Sequence, residues 1–123
     1  MSASQEPAFD WAQAASLLGD NPNEVDPEMA AIARELVEGG DAQFDELASK
    51  NAETDRKTIG SLAHGLRGCL LNFGFTEVGT ILLEVEKGTY SPSEYLPQID
   101  QAEAVFIASK KLLAERYPSI GLV

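Results

Sequence analysis

The sequence holds one histidine, one cysteine and one tryptophan, and only 9 lysines and arginines against 20 aspartates and glutamates. Each shortage closes a class of function. A single cysteine, Cys69, allows no intrachain disulfide and no cysteine cluster for zinc or iron–sulfur. A net charge of -11 repels phosphate backbones, so nucleic acid is not expected as a partner. No apolar run approaches the ~18 residues that a membrane span needs, and Met1 to Asp10 is polar and acidic, unlike a signal peptide. A cytoplasmic protein without membrane contact is therefore expected. Walker loops, Gly-x-Gly-x-x-Gly turns and kinase signatures are missing, so nothing marks a site for binding ATP.

What is present reads as helix. At 123 residues and 44% apolar content the chain is expected to be one domain, with residues 1–9 as a flexible N-terminus. Stretches rich in Ala, Leu and Glu are separated by short capping signals, and alternating β-branched runs are missing. A short first helix fits Asp10 to Leu18, followed by the turn Gly19-Asp20-Asn21-Pro22-Asn23. Asp26 and Pro27 suit the start of a second helix. Met29, Ile32 or Ala33, Leu36, Phe44 and Leu47 keep roughly one face of it. That pattern stays in phase across Gly39-Gly40, so the glycines fit either one long helix or a break between two. Thr54 or Asp55 can open a third helix with the stripe Ile59, Leu62, Leu66, Cys69 or Leu70, and Phe73. Between these apolar neighbours Cys69 reads as a core thiol rather than a nucleophile.

Gly74 reads as a break. Phe75, Val78, Leu82 and Val85 mark a fourth helix ending near Gly88. Ser91-Pro92-Ser93-Glu94 matches a capping box for the last helix, which carries Tyr95, Ile99, Ala102, Phe106, Ser109 and Leu113 on one side. Pro97 falls early in it, so a turn with the helix starting near Pro97 fits equally well. Lys110, Lys111 and Arg116 favour the dipole at its C-terminal end. The expected fold is all-α, an antiparallel four-helix bundle with an additional short N-terminal helix.

The histidine lies in Leu62-Ala63-His64-Gly65-Leu66-Arg67-Gly68-Cys69-Leu70-Leu71-Asn72-Phe73-Gly74. It falls outside the apolar stripe. His64, Arg67, Gly68 and Leu71 form a second stripe at spacings of three and four, which leaves Leu71 as an expected exposed hydrophobe. Between Thr54 and Gly74 three cations face one anion, a surplus of +2 in a chain whose total is -11. Gly65 and Gly68 each cost a helix about 1 kcal/mol relative to alanine. Two such costs beside one imidazole suit the close approach of another protein. Arg67 stands one turn from His64, where a guanidinium can pair with phosphoryl oxygens. A solvent-facing surface histidine with no chemistry is the plain alternative. Ser61 precedes His64 by three, but no carboxylate that would orient the ring is apparent along the chain. Metal ligands and paired glycosidase acids are permitted by the many carboxylates but specified by none.

The segment resembles the histidine-containing phosphotransfer domain family, whose pattern is approximately Ala-His-x-Leu-Lys-Gly-Ser followed by Asn-Leu-Gly. Ala63, His64, Leu66, Gly68, Asn72 and Gly74 match it, and the resemblance extends from the Leu17 to Asp20 turn through the helix after Gly74. Arg67 stands where lysine is usual, Cys69 for serine, Phe73 for leucine, and Gly65 where a side chain is common. The resemblance implies a phosphorelay role in a two-component regulatory system. His64 would receive a phosphoryl group on Nε2 from a receiver domain's phospho-aspartate and pass it to another receiver. The ring must be neutral to attack. Arg67 would offset phosphoryl charge, Gly68 and Gly65 would admit the partner, and Leu71 and Lys57 would assist docking. The implied partners are response-regulator receiver domains and hybrid histidine kinases. No cofactor or metal of its own is implied, Mg²⁺ being expected on the receiver, and a monomer with no kinase activity is expected. A non-catalytic module that binds and regulates a receiver or kinase is the competing function. A structural bundle whose acidic surface only keeps it soluble is a third.

Overall fold

The computed structural model describes residues 7–50, 56–88 and 92–122. It is all-helical, with no strand among the described residues. The helices are α1 (Trp11–Leu18), α2 (Pro27–Ser49), α3 (Arg56–Asn72), α4 (Thr76–Lys87) and α5 (Pro92–Arg116), followed by a 3₁₀ turn at Pro118–Ile120. No described helix is long and apolar enough to cross a membrane.

The expected cap at Asp26 forms, and Asp10, expected as the start of the first helix, caps α1. The Asp10 carboxylate accepts from the Gln13 amide at 3.0 Å, and that of Asp26 accepts from Glu28 at 2.8 Å, with Pro27 as the first helical residue of α2. The caps expected at Thr54 or Asp55 and at Ser91 lie outside the described residues. Pro97 lies inside α5, which starts at Pro92, so the helix absorbs the proline in its early turns.

Gly39 and Gly40 lie within one continuous α2. The buried line of that helix is Ala30, Ala33, Val37, Gly40, Phe44 and Leu47. Ile32 is therefore outside it, at 46% exposure, and Leu36 is half-buried. Glycine takes position 40 of that line because a large ring needs the space: a Cβ on Gly40 would lie 2.8 Å from Cζ of Phe106. Phe106 also stacks with Phe44 and Phe75 at centroid separations of 5.3 and 5.6 Å, so three rings fill the centre.

α3 ends in a Schellman motif. Gly74 donates to Leu71 O and Phe75 to Leu70 O, both at 3.1 Å, with Gly74 at φ +95°. A side chain there is blocked twice, by the positive φ and by the Asp10 carbonyl, which a Cβ would meet at 2.5 Å. The chain turns back at this point, and α4 packs along α3. Their close approach rests on Gly79, where a Cβ would lie 2.6 Å from Leu71 Cδ2.

Ala8 and Phe9, within the stretch expected as a flexible N-terminus, contact the helices. Phe9 packs on Trp11 and Phe75, the Ala8 amide donates to Glu77 Oε1 at 2.8 Å, and the Glu77 amide donates to Ala8 O at 3.2 Å. Apolar burial of Phe9 and these bonds hold the segment against the α3–α4 turn. α1 follows onto the same turn, with Gln13 Nε2 donating to Asn72 O at 3.0 Å.

Candidate functional site

The inner line of α3 is Ile59, Ala63, Leu66 and Leu70. A residue directly after Ala63 is turned about 100° from it, so His64 leaves the core, and its side chain is 67% exposed. Arg67, one turn on, lies between core and solvent at 22% exposure. Facing both is a residue that local spacing does not reveal, Glu86 near the end of α4.

Glu86 Oε1 and Oε2 each lie 3.1 Å from His64 Nδ1. Arg67 donates to Oε1 from Nε at 3.3 Å and from Nη2 at 3.2 Å. The three side chains meet because side chains lean toward the N-terminus of their own helix. A Cβ on Gly60 would be 3.8 Å from the Glu86 carbonyl, so residues 60 and 86 lie side by side. His64 leans back along α3 toward that level, and Glu86 leans back along α4 toward His64.

The charges decide which ring nitrogen holds the hydrogen. Partial burial pushes the Glu86 carboxyl up. Hydrogen bonds from His64 and Arg67, and their positive charge, outweigh this and hold it below its ordinary 4.5. At neutral pH Glu86 is thus a carboxylate and accepts only. A lone pair on Nδ1 would face two anionic oxygens, whereas a hydrogen there is shared with both. Arg67 Nη2 is farther from Nδ1, at 3.5 Å, and is already spent on Oε1. Nδ1 therefore carries the hydrogen in the neutral ring, and the Nε2 lone pair is the one left for chemistry.

The surroundings of the ring are open. A Cβ on Gly65 or Gly68 would meet nothing within 4 Å. Both glycines and Lys57 are exposed. Leu71, expected as an exposed hydrophobe, is instead half-buried against Gly79, because the α3–α4 approach covers it. Cys69, expected as a core thiol, is exposed; Leu70 takes the inner position and turns Cys69 outward. Cys69 and Leu66 of α3 line a groove of about 280 Å³ with Ile32, Leu36 and Gly39 of α2. Ile32 is the exposed hydrophobe of that groove, at 46% exposure.

Compared with protein-family models, with curated proteins and with solved structures, the chain matches none. What the site can do therefore rests on its own geometry. It is a single exposed imidazole nitrogen with its tautomer set by a carboxylate. A guanidinium stands next to it, and bare backbone follows it at Gly65 and Gly68. No three His, Cys, Asp or Glu side chains converge among the described residues. Ser61 is exposed on the same helix, and no hydrogen bond joins it to His64, so a serine nucleophile activated by His64 is not formed among the described residues.

Proposed function

We propose that this protein is a histidine phosphotransfer protein that relays a phosphoryl group between receiver-domain aspartates through phospho-His64. One observation carries the reading: His64 is exposed while its Nδ1 is anchored by Glu86, so Nε2 is directed as a nucleophile at whatever docks there. In the loading step the Nε2 lone pair attacks the phosphorus of an acyl phosphate. The Nε2–P bond forms, the aspartyl O–P bond breaks, and its electron pair stays on the departing carboxylate. Arg67, one turn away, offsets charge on the moving phosphoryl oxygens.

The four longer helices, α2 to α5, are read as an antiparallel bundle, with α1 covering the end at the α3–α4 turn. Receivers of response regulators or of hybrid kinases are the proposed partners, and they bring the aspartate and Mg²⁺. Gly65 and Gly68 admit the receiver's loops, Lys57 offers a cation, and the groove at Ile32, Leu36 and Leu66 takes its apolar contacts. The protein is proposed to work in the cytoplasm, as a monomer and without a cofactor of its own.

The test is phosphoryl transfer from a panel of phosphorylated receivers to the wild type and to His64→Gln. Acid-labile, base-stable label on the wild type alone is expected. Binding of a receiver without label on either protein would replace the relay with a non-catalytic module that regulates its partner.

A further inference from the structure

A phosphorylated imidazole must also let go, and here the second oxygen contact of Glu86 has a consequence. When Nε2 carries a phosphoryl group, loss of that group breaks the Nε2–P bond and returns the electron pair to Nε2. If Nδ1 holds a hydrogen, the departing ring is neutral imidazole. If Nδ1 is bare, the ring departs as an imidazolate anion, a far more basic and slower leaving group. The state of Nδ1 therefore sets the rate of donation.

We infer that Glu86 is a positioning residue that keeps the hydrogen on Nδ1 while Nε2 is phosphorylated, so that near neutral pH His64 departs as neutral imidazole. The inference rests on reading His64 as a phosphoryl carrier, and it concerns the donating half of the relay. In the donating step an acceptor oxygen attacks phosphorus. The new O–P bond forms, the Nε2–P bond breaks, and the electron pair goes to Nε2. The Nδ1 hydrogen stays where it is, shared with Glu86. No proton has to be found during the transfer.

The charged groups around the ring support this assignment. Glu86 reaches it from α4, with both oxygens 3.1 Å from Nδ1. Arg67 reaches it from α3 itself and opposes a further positive charge, but from 3.5 Å and with its guanidinium already paired to Oε1. α2, the other helix packed on α3, brings Glu35 to the groove beside Leu66 and Cys69. Glu86 is thus the group in direct contact with Nδ1, and Arg67 fixes the carboxylate in place. A glutamine at 86 could still accept the hydrogen bond through its amide oxygen, but it would not bring the negative charge that retains the proton.

The full chain, its Glu86→Gln variant and its Arg67→Gln variant can be loaded on His64 with phosphoramidate, a small donor that needs no partner protein. Phosphorus NMR then reports which nitrogen is modified, and release of inorganic phosphate is followed between about pH 5 and pH 10. The wild type is expected to carry the group on Nε2. For Glu86→Gln the decline of release with rising pH should move down by about one pH unit, so that on the alkaline side phosphate is lost about tenfold more slowly. Arg67→Gln should not reproduce that downward shift. Superimposable pH profiles for wild type and Glu86→Gln would overturn the inference, as would modification of Nδ1 or no loading of the wild type. Loading by phosphoramidate with no label from any receiver would retire the relay, while the pH profiles would still decide the role of Glu86.

Discussion

Two sets of helix glycines in this chain look alike in sequence and differ in what faces them. Gly40 and Gly79 are occupied: the Phe106 ring sits where a Gly40 side chain would be, and Leu71 sits over Gly79. Gly65 and Gly68 face nothing within 4 Å. The first pair is explained inside the molecule, since packing a large side chain against bare backbone recovers the helix propensity that glycine loses. The second pair carries the same loss, about 1 kcal/mol each, with no internal return. Packing explains the interior pair, whereas the face around His64 carries a cost that packing within the molecule does not explain and that the proposed docking of a receiver would.

The sharpest way to break this comparison is Gly40→Ala. Alanine gains about 1 kcal/mol in helix propensity. Against that, its methyl would collide with Phe106, which is fully buried between Phe44 and Phe75 and has no room to yield. Overpacking of this kind costs about 1–3 kcal/mol. A net loss of up to about 2 kcal/mol in urea unfolding is expected, with labelling of His64 kept. A Gly40→Ala protein as stable as the wild type would mean that the two sets of glycines do not differ.

How far the sequence reveals this division can be followed along α2 and α3. Apolar periodicity locates the five helices, and the Asp26-Pro27 start and the Gly74 stop are chemical signals that the structure keeps. Periodicity fails where neighbouring residues are both apolar. It cannot choose between Ile32 and Ala33, or between Cys69 and Leu70, because the choice depends on which side chain fits against α5 or α2. Size then misleads: the larger Ile32 is outside and the smaller Ala33 is inside. The exposed histidine was legible because His64 breaks the apolar stripe. Glu86 was not, since its contact with Nδ1 depends on how α4 sits alongside α3, and no spacing within one helix carries that.

A smaller effect of opposite sign is expected at the open glycines. Gly65→Ala and Gly68→Ala meet no neighbour, so each should raise stability by up to about 1 kcal/mol. The same methyl groups stand where a docking protein would approach. Transfer from a receiver should slow by about tenfold, equivalent to about 1.4 kcal/mol, while loading by phosphoramidate should not change. Stabilisation together with slower receiver transfer sharpens the comparison. Stabilisation with unchanged transfer would leave the two glycines without a functional reason.

The smallest effect on stability belongs to the residue with the largest proposed effect on phosphate release. Glu86 is an ion-pair partner on the surface side of α4, a quarter exposed, where water weakens each charge–charge contact. Pairs of this kind contribute about 0.2–1 kcal/mol. Glu86→Gln should therefore cost less than about 1 kcal/mol at pH 7. The sign of its pH dependence follows from the carboxyl being held below 4.5 in the folded state. The unfolded chain binds the proton first as pH falls, so the contribution is complete above that value and fades as pH drops through the lower, folded one. Wild type and Glu86→Gln should thus differ slightly at pH 7 and converge in acid, measured as urea midpoints across the range. A gap that stayed constant into acid would mean that Glu86 holds the helices by packing rather than charge. The His64 face would then share the structural role of the interior instead of standing apart from it.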